Sequence, residues 1–97
     1  MTAILQSLKQ QKDQITAIAN RYHAVNIRVF GSVARGDESD DSDVDLLVDF
    51  MPGSTLLDQV GLIEALSLEL GRKVDVVSGH ALNKFLRKKV LQEAVLL

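Results

Sequence analysis

Apolar residues recur at spacings of three and four along the first 22 positions, which is the period of one face of an α-helix. The residues that carry this stripe are Ile4, Leu5, Leu8, Ile15, Ile18, Ala19 and Tyr22. Lys9, Lys12 and Arg21 fall outside it. The pattern therefore predicts one amphipathic helix over residues 3–22, with these three charged side chains in solvent.

The period then changes from helical to alternating. Val25, Ile27 and Val29 are separated by single polar residues, and this alternation predicts a strand that stops at Gly31. The residues that follow, up to Ser42, have no long period. They are predicted to form a turn, with one helical turn at the sequence SVAR.

The second half of the chain predicts two more strands and two helices. The uninterrupted triplet LLV in the segment DVDLLVDF indicates a central strand covered on both faces. Thr55, three residues before Asp58, is typical of a capping box, and the helix it opens is predicted to run through Leu70 and to end at Gly71. The segment RKVDVVS predicts a third strand. A last helix is predicted from about Leu82, with one apolar side formed by Phe85, Leu86, Val90, Ala94 and Leu97.

This order of elements predicts a small mixed β-sheet flanked by helices, an α+β (α/β) fold. Roughly ten residues connect the first two strands, which is short for the helical crossover that a parallel pair needs. A regular doubly wound sheet is therefore not expected. With 97 residues and neither a repeat nor a linker, the chain is expected to form a single domain over residues 1–97.

The composition of the chain limits the kinds of partner and chemistry that are expected. The net charge of −2 provides no overall attraction to a phosphate backbone, so nucleic acid is not expected as the main partner. The chain contains no cysteine, which excludes disulfides, thiol catalysis and cysteine-based zinc sites. No apolar run approaches the roughly 18 residues that span a bilayer, and the first residues lack the apolar segment of a signal peptide. A cytoplasmic protein without a membrane partner is expected.

Three aspartates occupy positions where a solvated acid would be unusual. Asp43 and Asp45 are two residues apart at the start of a predicted strand, so their side chains share one face while Val44 points to the core. Asp75 lies between two valines of the third predicted strand. If the two strands are neighbours, the three carboxylates converge and repel one another unless a cation lies among them. Oxygen ligands of this kind favour Mg²⁺ bound together with substrate phosphates.

A candidate phosphate-binding element lies nearby in the sequence. Gly31, at the end of a strand, allows a backbone N–H to approach a phosphate closely, and the Ser32 hydroxyl adds a second donor. Arg35 can add a charge-assisted contact to a phosphate oxygen. The alternative for Arg35 is an exposed side chain of the turn.

Two other motifs fit this region less well. GSVARGDE has the glycine spacing of a P-loop, but Asp37 stands where that motif needs a lysine. The aspartate spacing before Leu46 matches the first ligand positions of an EF-hand. However, Leu46 and Pro52 stand where that loop needs glycine and glutamate. Neither motif is predicted.

The combination of these residues resembles the nucleotidyltransferase superfamily of DNA polymerase β, and in particular its minimal nucleotidyltransferase members. The motif consists of a strand ending in Gly31-Ser32, a spacer of ten residues, Asp43-Val44-Asp45 leading an apolar strand, and Asp75 in a later strand. The sequences GSVARG and SDVDLLV are close to the minimal type. The resemblance covers residues 25–77 by motif and implies a polymerase β palm-like nucleotidyltransferase fold.

The same resemblance implies roles for the residues. Asp43 and Asp45 would bind two Mg²⁺ ions, and Asp75 would hold the ion that activates the acceptor hydroxyl. Gly31 and Ser32 would bind the β- and γ-phosphates of a nucleoside triphosphate. Minimal members are known as antitoxins encoded beside a HEPN-type toxin, which they silence by transferring AMP to a toxin tyrosine. The implied function is an ATP- and Mg²⁺-dependent protein adenylyltransferase of the EC 2.7.7 type, in a hetero-oligomer with that toxin.

Two alternatives stay open on the sequence alone. The chain could neutralise a toxin by binding it, with a relict nucleotide site, or it could transfer a nucleotide to a small molecule or an RNA. The acidic charge and the lack of a further binding domain disfavour the latter.

The remaining charged residues are assigned simpler roles. Asp49 is predicted to be structural, and a solvated acidic loop is predicted for Asp37, Glu38, Asp40 and Asp41. A solvated helix face is predicted for Lys84, Arg87, Lys88 and Lys89, with contact to a toxin or a nucleotide as the alternative.

Overall fold

The computed structural model describes residues 3–37 and 42–97, which form helices on both sides of a four-stranded sheet. The helices are α1 (Ala3–Gln10), α2 (Lys12–Arg21), α3 (Ser32–Arg35), α4 (Leu56–Leu70) and α5 (Lys84–Glu93). The strands are β1 (Ala24–Phe30), β2 (Val44–Phe50), β3 (Val74–Ser78) and β4 (Val95–Leu96). A 3₁₀ turn over Gly79–Ala81 follows β3.

The sheet has the strand order β3-β2-β1-β4 and mixed pairing. β1 is antiparallel to both β2 and β4, whereas β2 and β3 are parallel. The antiparallel pairing of β1 with β2 confirms that their short connection is not a helical crossover. Leu46, Leu47 and Val48 are at most 2% exposed, as expected for an internal strand. The predicted mixed sheet with flanking helices is confirmed.

The main hydrophobic core lies between one face of the sheet and helices α1, α2 and α4. Its members include Leu5, Leu8, Ile15, Ile18, Leu62 and Leu66 from the helices, together with Val44, Leu46 and Val48 from β2. Successive residues of a strand point to opposite faces. Asp45, Leu47 and Asp49 therefore point away from this core, and we call the surface they share the Asp45 face.

The predicted single helix over residues 3–22 is wrong, because two helices occupy this region. The first ends at Gln10, and the Gln11 backbone N–H donates to the carbonyl oxygens of both Ser7 and Leu8 at 3.1 Å. The Gln11 side-chain amide also donates to Ser7 Oγ at 3.0 Å. Between the buried Leu8 and the buried Ile15 the chain has no apolar residue. Because that stretch has nothing to bury, the chain can turn there.

The alternation predicted in β1 is displaced at one position. Val25 is only partly buried, whereas Ala24, Ile27 and Val29 are fully or nearly fully buried. The pairing with β2 is irregular between Val25 and Arg28, and Asn26 between them has a φ of 55°. Such a bulge adds a residue to one strand and shifts which side chains face the core.

The predicted start and end of α4 are confirmed. The Thr55 backbone N–H donates to Asp58 Oδ2 at 2.9 Å in a capping box that begins the helix. Gly71, after the last helical residue, has a φ of 65° and lies in the left-handed region. Across residues 3–37 and 42–97, the helices lack the length and hydropathy that a bilayer-spanning helix requires.

The last predicted helix is wrong at both its C-terminal end and its apolar side. Helix α5 begins after Asn83, whose Oδ1 accepts from the Leu86 N–H at 2.9 Å, and it ends at Glu93. The residues that follow form β4 instead, because the edge of β1 offers backbone partners. The Leu97 N–H donates to the Ile27 carbonyl at 3.1 Å. None of the residues of α5 is buried.

Candidate active site

Asp45 and Asp75 are direct neighbours on adjacent parallel strands. In the pairing of β2 with β3, the Cα of Asp45 is opposite that of Asp75, and Val44 is opposite Val74. Paired residues of adjacent strands point to the same face, so both carboxylates lie on the Asp45 face. Asp43 comes directly before β2, and Val44 is fully buried. The backbone therefore places Asp45 beside Asp75, with Asp43 two residues before Asp45.

The electrostatic environment of Asp45 opposes its ionisation. Partial burial raises the pKa of its carboxyl, and the charges of Asp75 and then Asp43 raise it further. Arg35 acts in the opposite direction but is the smallest of these influences. Like charges that are held together in this way attract a cation.

Gly31 is fitted to the Asp45 carboxylate. Its φ of 75° and ψ of −152° lie in a region that residues with a Cβ rarely adopt. A Cβ at this position would also overlap with Oδ2 of Asp45. The turn that carries Gly31 and Ser32 therefore packs directly against the carboxylate, as β1 ends opposite Asp45 at Phe30.

Arg35, at the C-terminal end of α3, is bound by two acidic side chains. Its Nη1 lies 2.6 Å from Glu93 Oε1, and its Nε lies 3.2 Å from Asp37 Oδ2. The hydrogen bond to Glu93, followed by the one to Asp37, raises the pKa of the guanidinium. Arg35 thus lies near enough to Asp45 to influence it, but its donors already have partners on this chain.

Lys73 is a residue of this region that the sequence reasoning missed. Its Nζ lies 3.7 Å from Asp43 Oδ2, and its carbonyl accepts from the Val44 N–H at 3.0 Å. The signal was available in the sequence. Lys73 is two residues before Asp75, so both side chains are on the same face if the strand is extended back by one residue.

The donor set suits a hard cation, although the side chains do not enclose one in this conformation. Three carboxylates supply only oxygen ligands, which is the chemistry that Mg²⁺ prefers. Within residues 3–37 and 42–97, however, no three His, Cys, Asp or Glu side chains are gathered closely enough to hold an ion. Asp43 is turned toward Lys73.

Asp49 lies on the same strand and face as Asp45 but has a different environment. Its Oδ2 accepts from Asn26 Nδ2 at 3.0 Å and lies 3.9 Å from Arg28 Nη1. These contacts agree with its predicted structural role. Of the predicted loop acids, Asp37 is exposed and pairs with Arg35, whereas Glu38, Asp40 and Asp41 lie outside the described residues.

Comparison with known proteins places the chain in a family. The family model described as the nucleotidyltransferase domain matches residues 8–97. The protein adenylyltransferase MntA of Thermococcus cleftensis is 42% identical over 78 residues, which are 80% of this chain and 79% of that protein. A solved structure assigned as a minimal nucleotidyltransferase has a TM-score of 0.86 and 46% identity, covering 100% of this chain and 97% of the other.

A more distant structure shares the fold. It is a toxin-antitoxin crystal structure with AMP-PNP, which has a TM-score of 0.74 and 21% identity and covers 88% of this chain and 70% of that one. The family model, the sequence relative and the similar structure agree. The chain belongs to the nucleotidyltransferase domain family, among its minimal nucleotidyltransferases, and is a nucleotidyltransferase enzyme.

Proposed function

We propose that the chain is a Mg²⁺-dependent protein adenylyltransferase that acts as an antitoxin, transferring AMP from ATP to a tyrosine hydroxyl of a HEPN-type toxin. The observation that carries this proposal is the pairing of Asp45 with Asp75, with Asp43 adjacent. A purely structural site has no physical reason to hold mutually repelling carboxylates in register at a sheet surface.

Each part of the site has a proposed task. Asp43, Asp45 and Asp75 would hold two Mg²⁺ ions, while Gly31 and Ser32 would donate to the β- and γ-phosphates of ATP. When bound, the ions would neutralise triphosphate charge and favour the ionised acceptor hydroxyl. Arg35 would contact a phosphate after release from one of its acidic partners.

The proposed reaction is an in-line displacement at the α-phosphorus of ATP. The tyrosine oxygen forms a bond to the α-phosphorus, and the bond from that phosphorus to the oxygen bridging to the β-phosphate breaks. Pyrophosphate leaves, and the tyrosine proton passes to solvent. Asp75 is the most exposed of the three aspartates, which supports its proposed role beside an acceptor hydroxyl that approaches from solvent.

The identity of the acceptor is inferred from similar proteins. The Thermococcus cleftensis relative is named a protein adenylyltransferase, and the more distant structure is a toxin-antitoxin with an ATP analogue. Both support a protein acceptor and an adenine nucleotide. Because Asp75 is exposed and Asp43 and Asp45 are only partly buried, a protein partner could supply the rest of the binding surface.

A binding-only antitoxin is the second candidate function. The ion pairs of Arg35 with Glu93 and of Asp43 with Lys73 favour it, since both satisfy candidate site residues within this chain. The two candidates differ in one measurable property. Only the enzyme leaves a covalent AMP on its partner.

The test is a transfer assay with purified toxin, Mg²⁺ and ATP labelled at either the α- or the γ-phosphate. We expect label on the toxin from the α-position only, a toxin mass increase equal to whole AMP units, and loss of both when EDTA removes Mg²⁺. Asp45→Asn should reduce the transfer rate on the order of 10³-fold. If wild-type protein and Asp45→Asn silence the toxin equally well and no label is transferred, the enzymatic proposal is wrong and the binding-only candidate is correct.

A further inference from the structure

Helix α5 exposes apolar side chains that the fold does not cover. None of its residues is buried, and Phe85 and Leu91 are 76% and 39% exposed. By contrast, α4 buries both Leu62 and Leu66 completely. The side of α5 nearest the sheet carries Arg87, Val90 and Glu93, which are spaced three residues apart along the helix. The exposed surface away from that side, which we call the outer face of α5, comprises Lys84, Phe85, Lys88, Lys89 and Leu91.

The outer face is also strongly basic in an acidic chain. It carries three lysines within six residues, whereas the whole chain has a net charge of −2. Among the described residues, no acidic side chain forms an ion pair with any of the three. Shallow depressions between Phe85 and Lys89 and between Lys84 and Leu91 line the same surface. The outer face therefore combines uncovered apolar groups with cations that have no acidic partner within residues 3–37 and 42–97.

The position of α5 connects this surface with the candidate active site. At its C-terminal end, Glu93 binds Arg35 at 2.6 Å, and Arg35 influences the ionisation of Asp45. Near its N-terminal end, Arg87 Nε and Asp49 Oδ1 approach the same point beside Gly79. The helix thus extends along the Asp45 face from the Asp49 end of β2 toward the Asp45 end.

We propose that the outer face of α5 is the docking surface for the protein that receives the nucleotide. The inference rests on the proposed function and names where its protein acceptor binds. The complementary surface of the partner is acidic and contains an apolar socket for Phe85. A partner lying along α5 would extend over the Asp45 face, where its hydroxyl could reach Asp75.

A protein fits this surface better than a nucleic acid does. A phosphate backbone lying along α5 toward the site would meet Asp45, Asp75 and Asp49, and the carboxylates would repel it. The apolar groups Phe85 and Leu91 favour a partner that can bury them, as aromatic and apolar anchors do at the centre of protein interfaces.

The test compares variants of the whole protein in the AMP-transfer assay with purified HEPN-type toxin. Lys88→Glu/Lys89→Glu and Phe85→Ala should each raise the KM for the toxin by about tenfold or more. They should leave kcat at saturating toxin and the binding of MgATP unchanged. Because these side chains are exposed, the variants should unfold at the wild-type temperature. The matched control, Lys9→Glu/Lys12→Glu, makes the same change in charge on exposed residues of α1 and α2 and should keep the wild-type KM.

The outcomes separate this proposal from the proposed function. If AMP is transferred and the α5 variants keep the wild-type KM, the docking surface is wrong and the function stands. If no AMP is transferred but the toxin binds the wild type and not the α5 variants, the docking surface stands and the enzymatic function is wrong. A toxin that fails to bind the wild type overturns both. Loss of binding to a fluorescent single-stranded RNA, with toxin binding unchanged, assigns the face to nucleic acid and also overturns the docking proposal.

Discussion

The two ends of β2 carry the same side chain on the same face in opposite circumstances. Asp49 accepts a hydrogen bond from Asn26 and lies beside Arg28, so its charge is compensated within the fold. Asp45, four residues earlier, faces Asp75 and packs against Gly31, and its pKa is raised. One carboxylate is balanced by the protein, and the other is left in surroundings that a bound cation would balance.

This difference gives the physical reason why Asp49 is structural and Asp45 is a candidate catalytic residue, as predicted from the sequence. Both aspartates belong to the same apolar strand, and aspartate is uncommon in β-strands. What distinguishes them is the partner strand. β1 places an amide and a guanidinium near Asp49, while β3 places another carboxylate near Asp45. Substitutions at the two ends should therefore have opposite consequences.

The largest expected effect is on AMP transfer. Asp45→Asn, which preserves shape and removes charge, should reduce the rate of transfer to the toxin on the order of 10³-fold. Asp49→Asn makes the same chemical change at the other end of the strand and should retain a rate within a few-fold of wild type. Initial rates measured by toxin mass spectrometry check this. Equal losses in both variants would mean that the strand, not the Asp45 end, determines activity.

The next largest effect on AMP transfer is expected at the two glycines that lie beside these carboxylates, Gly31 beside Asp45 and Gly79 beside Asp49. Gly31→Ala forces a strained φ and displaces Asp45, and misplacement of this kind costs about 10²-fold in rate. Gly79→Ala would place a Cβ 3.0 Å from Asp49 Oδ1, which a small shift of that side chain can relieve. We therefore expect Gly79→Ala to keep most of the activity. The comparison requires both variants to remain folded, as judged by circular dichroism. Full activity in Gly31→Ala would show that Asp45 need not be held by this glycine.

A smaller effect is expected on stability without metal. In EDTA at neutral pH, Asp45→Asn removes repulsion and should raise Tm. Solvent screening of this partly exposed group keeps the gain below about 1 kcal/mol, which corresponds to at most about 4–8 °C for a domain of this size. Asp49→Asn should give no increase, because it weakens contacts with Asn26 and Arg28. Differential scanning calorimetry tests the pair. A lower Tm for Asp45→Asn than for wild type would refute the asserted repulsion.

The smallest expected effect is the pH dependence of the stability gained by Asp45→Asn. Because the pKa of Asp45 is raised in the folded protein, the folded state binds more protons than the unfolded state between the unfolded value, near 4, and the folded value. The contribution of Asp45 to wild-type stability is fully present below its pKa in the unfolded state. It is lost as the pH rises through its pKa in the folded state. The stability advantage of Asp45→Asn should therefore be largest at neutral pH and shrink on acidification toward pH 4. An advantage that grows on acidification would contradict the assigned shift.

The sequence was sufficient for the features that depend on local pattern. The LLV triplet identified the internal strand, and the Thr55 capping box located the start of α4. The two-residue spacing of Asp43 and Asp45 predicted that their side chains share one face of the strand. The pairing of Asp45 with Asp75 followed once two strands were adjacent. Each of these rests on a period or a motif that tertiary contacts did not override.

Other features depended on contacts that a pattern does not encode. The break at Gln11 arises because the stretch after Leu8 has nothing to pack against. The residues after Glu93 continue the apolar spacing of a helix, yet they form β4 because the edge of β1 has unpaired backbone groups. The sequence could place Lys73 on the face of Asp75, but its contact with Asp43 depends on the register of two strands that are 30 residues apart. The absence of packing decided the first outcome, and strand pairing decided the other two.

The most direct test of a metal site at Asp45 and Asp75 is to locate a bound metal. Mn²⁺, a hard cation that can replace Mg²⁺, would be titrated with AMP-PNP into isotope-labelled protein, and the paramagnetic broadening of backbone amide signals would be recorded. We expect the signals of Asp45, Asp75 and Gly31 to broaden first, those of Asp49 and Gly79 to broaden less, and Asp45→Asn to remove the effect. Broadening centred on Asp49, or unchanged in Asp45→Asn, would contradict a metal site at Asp45.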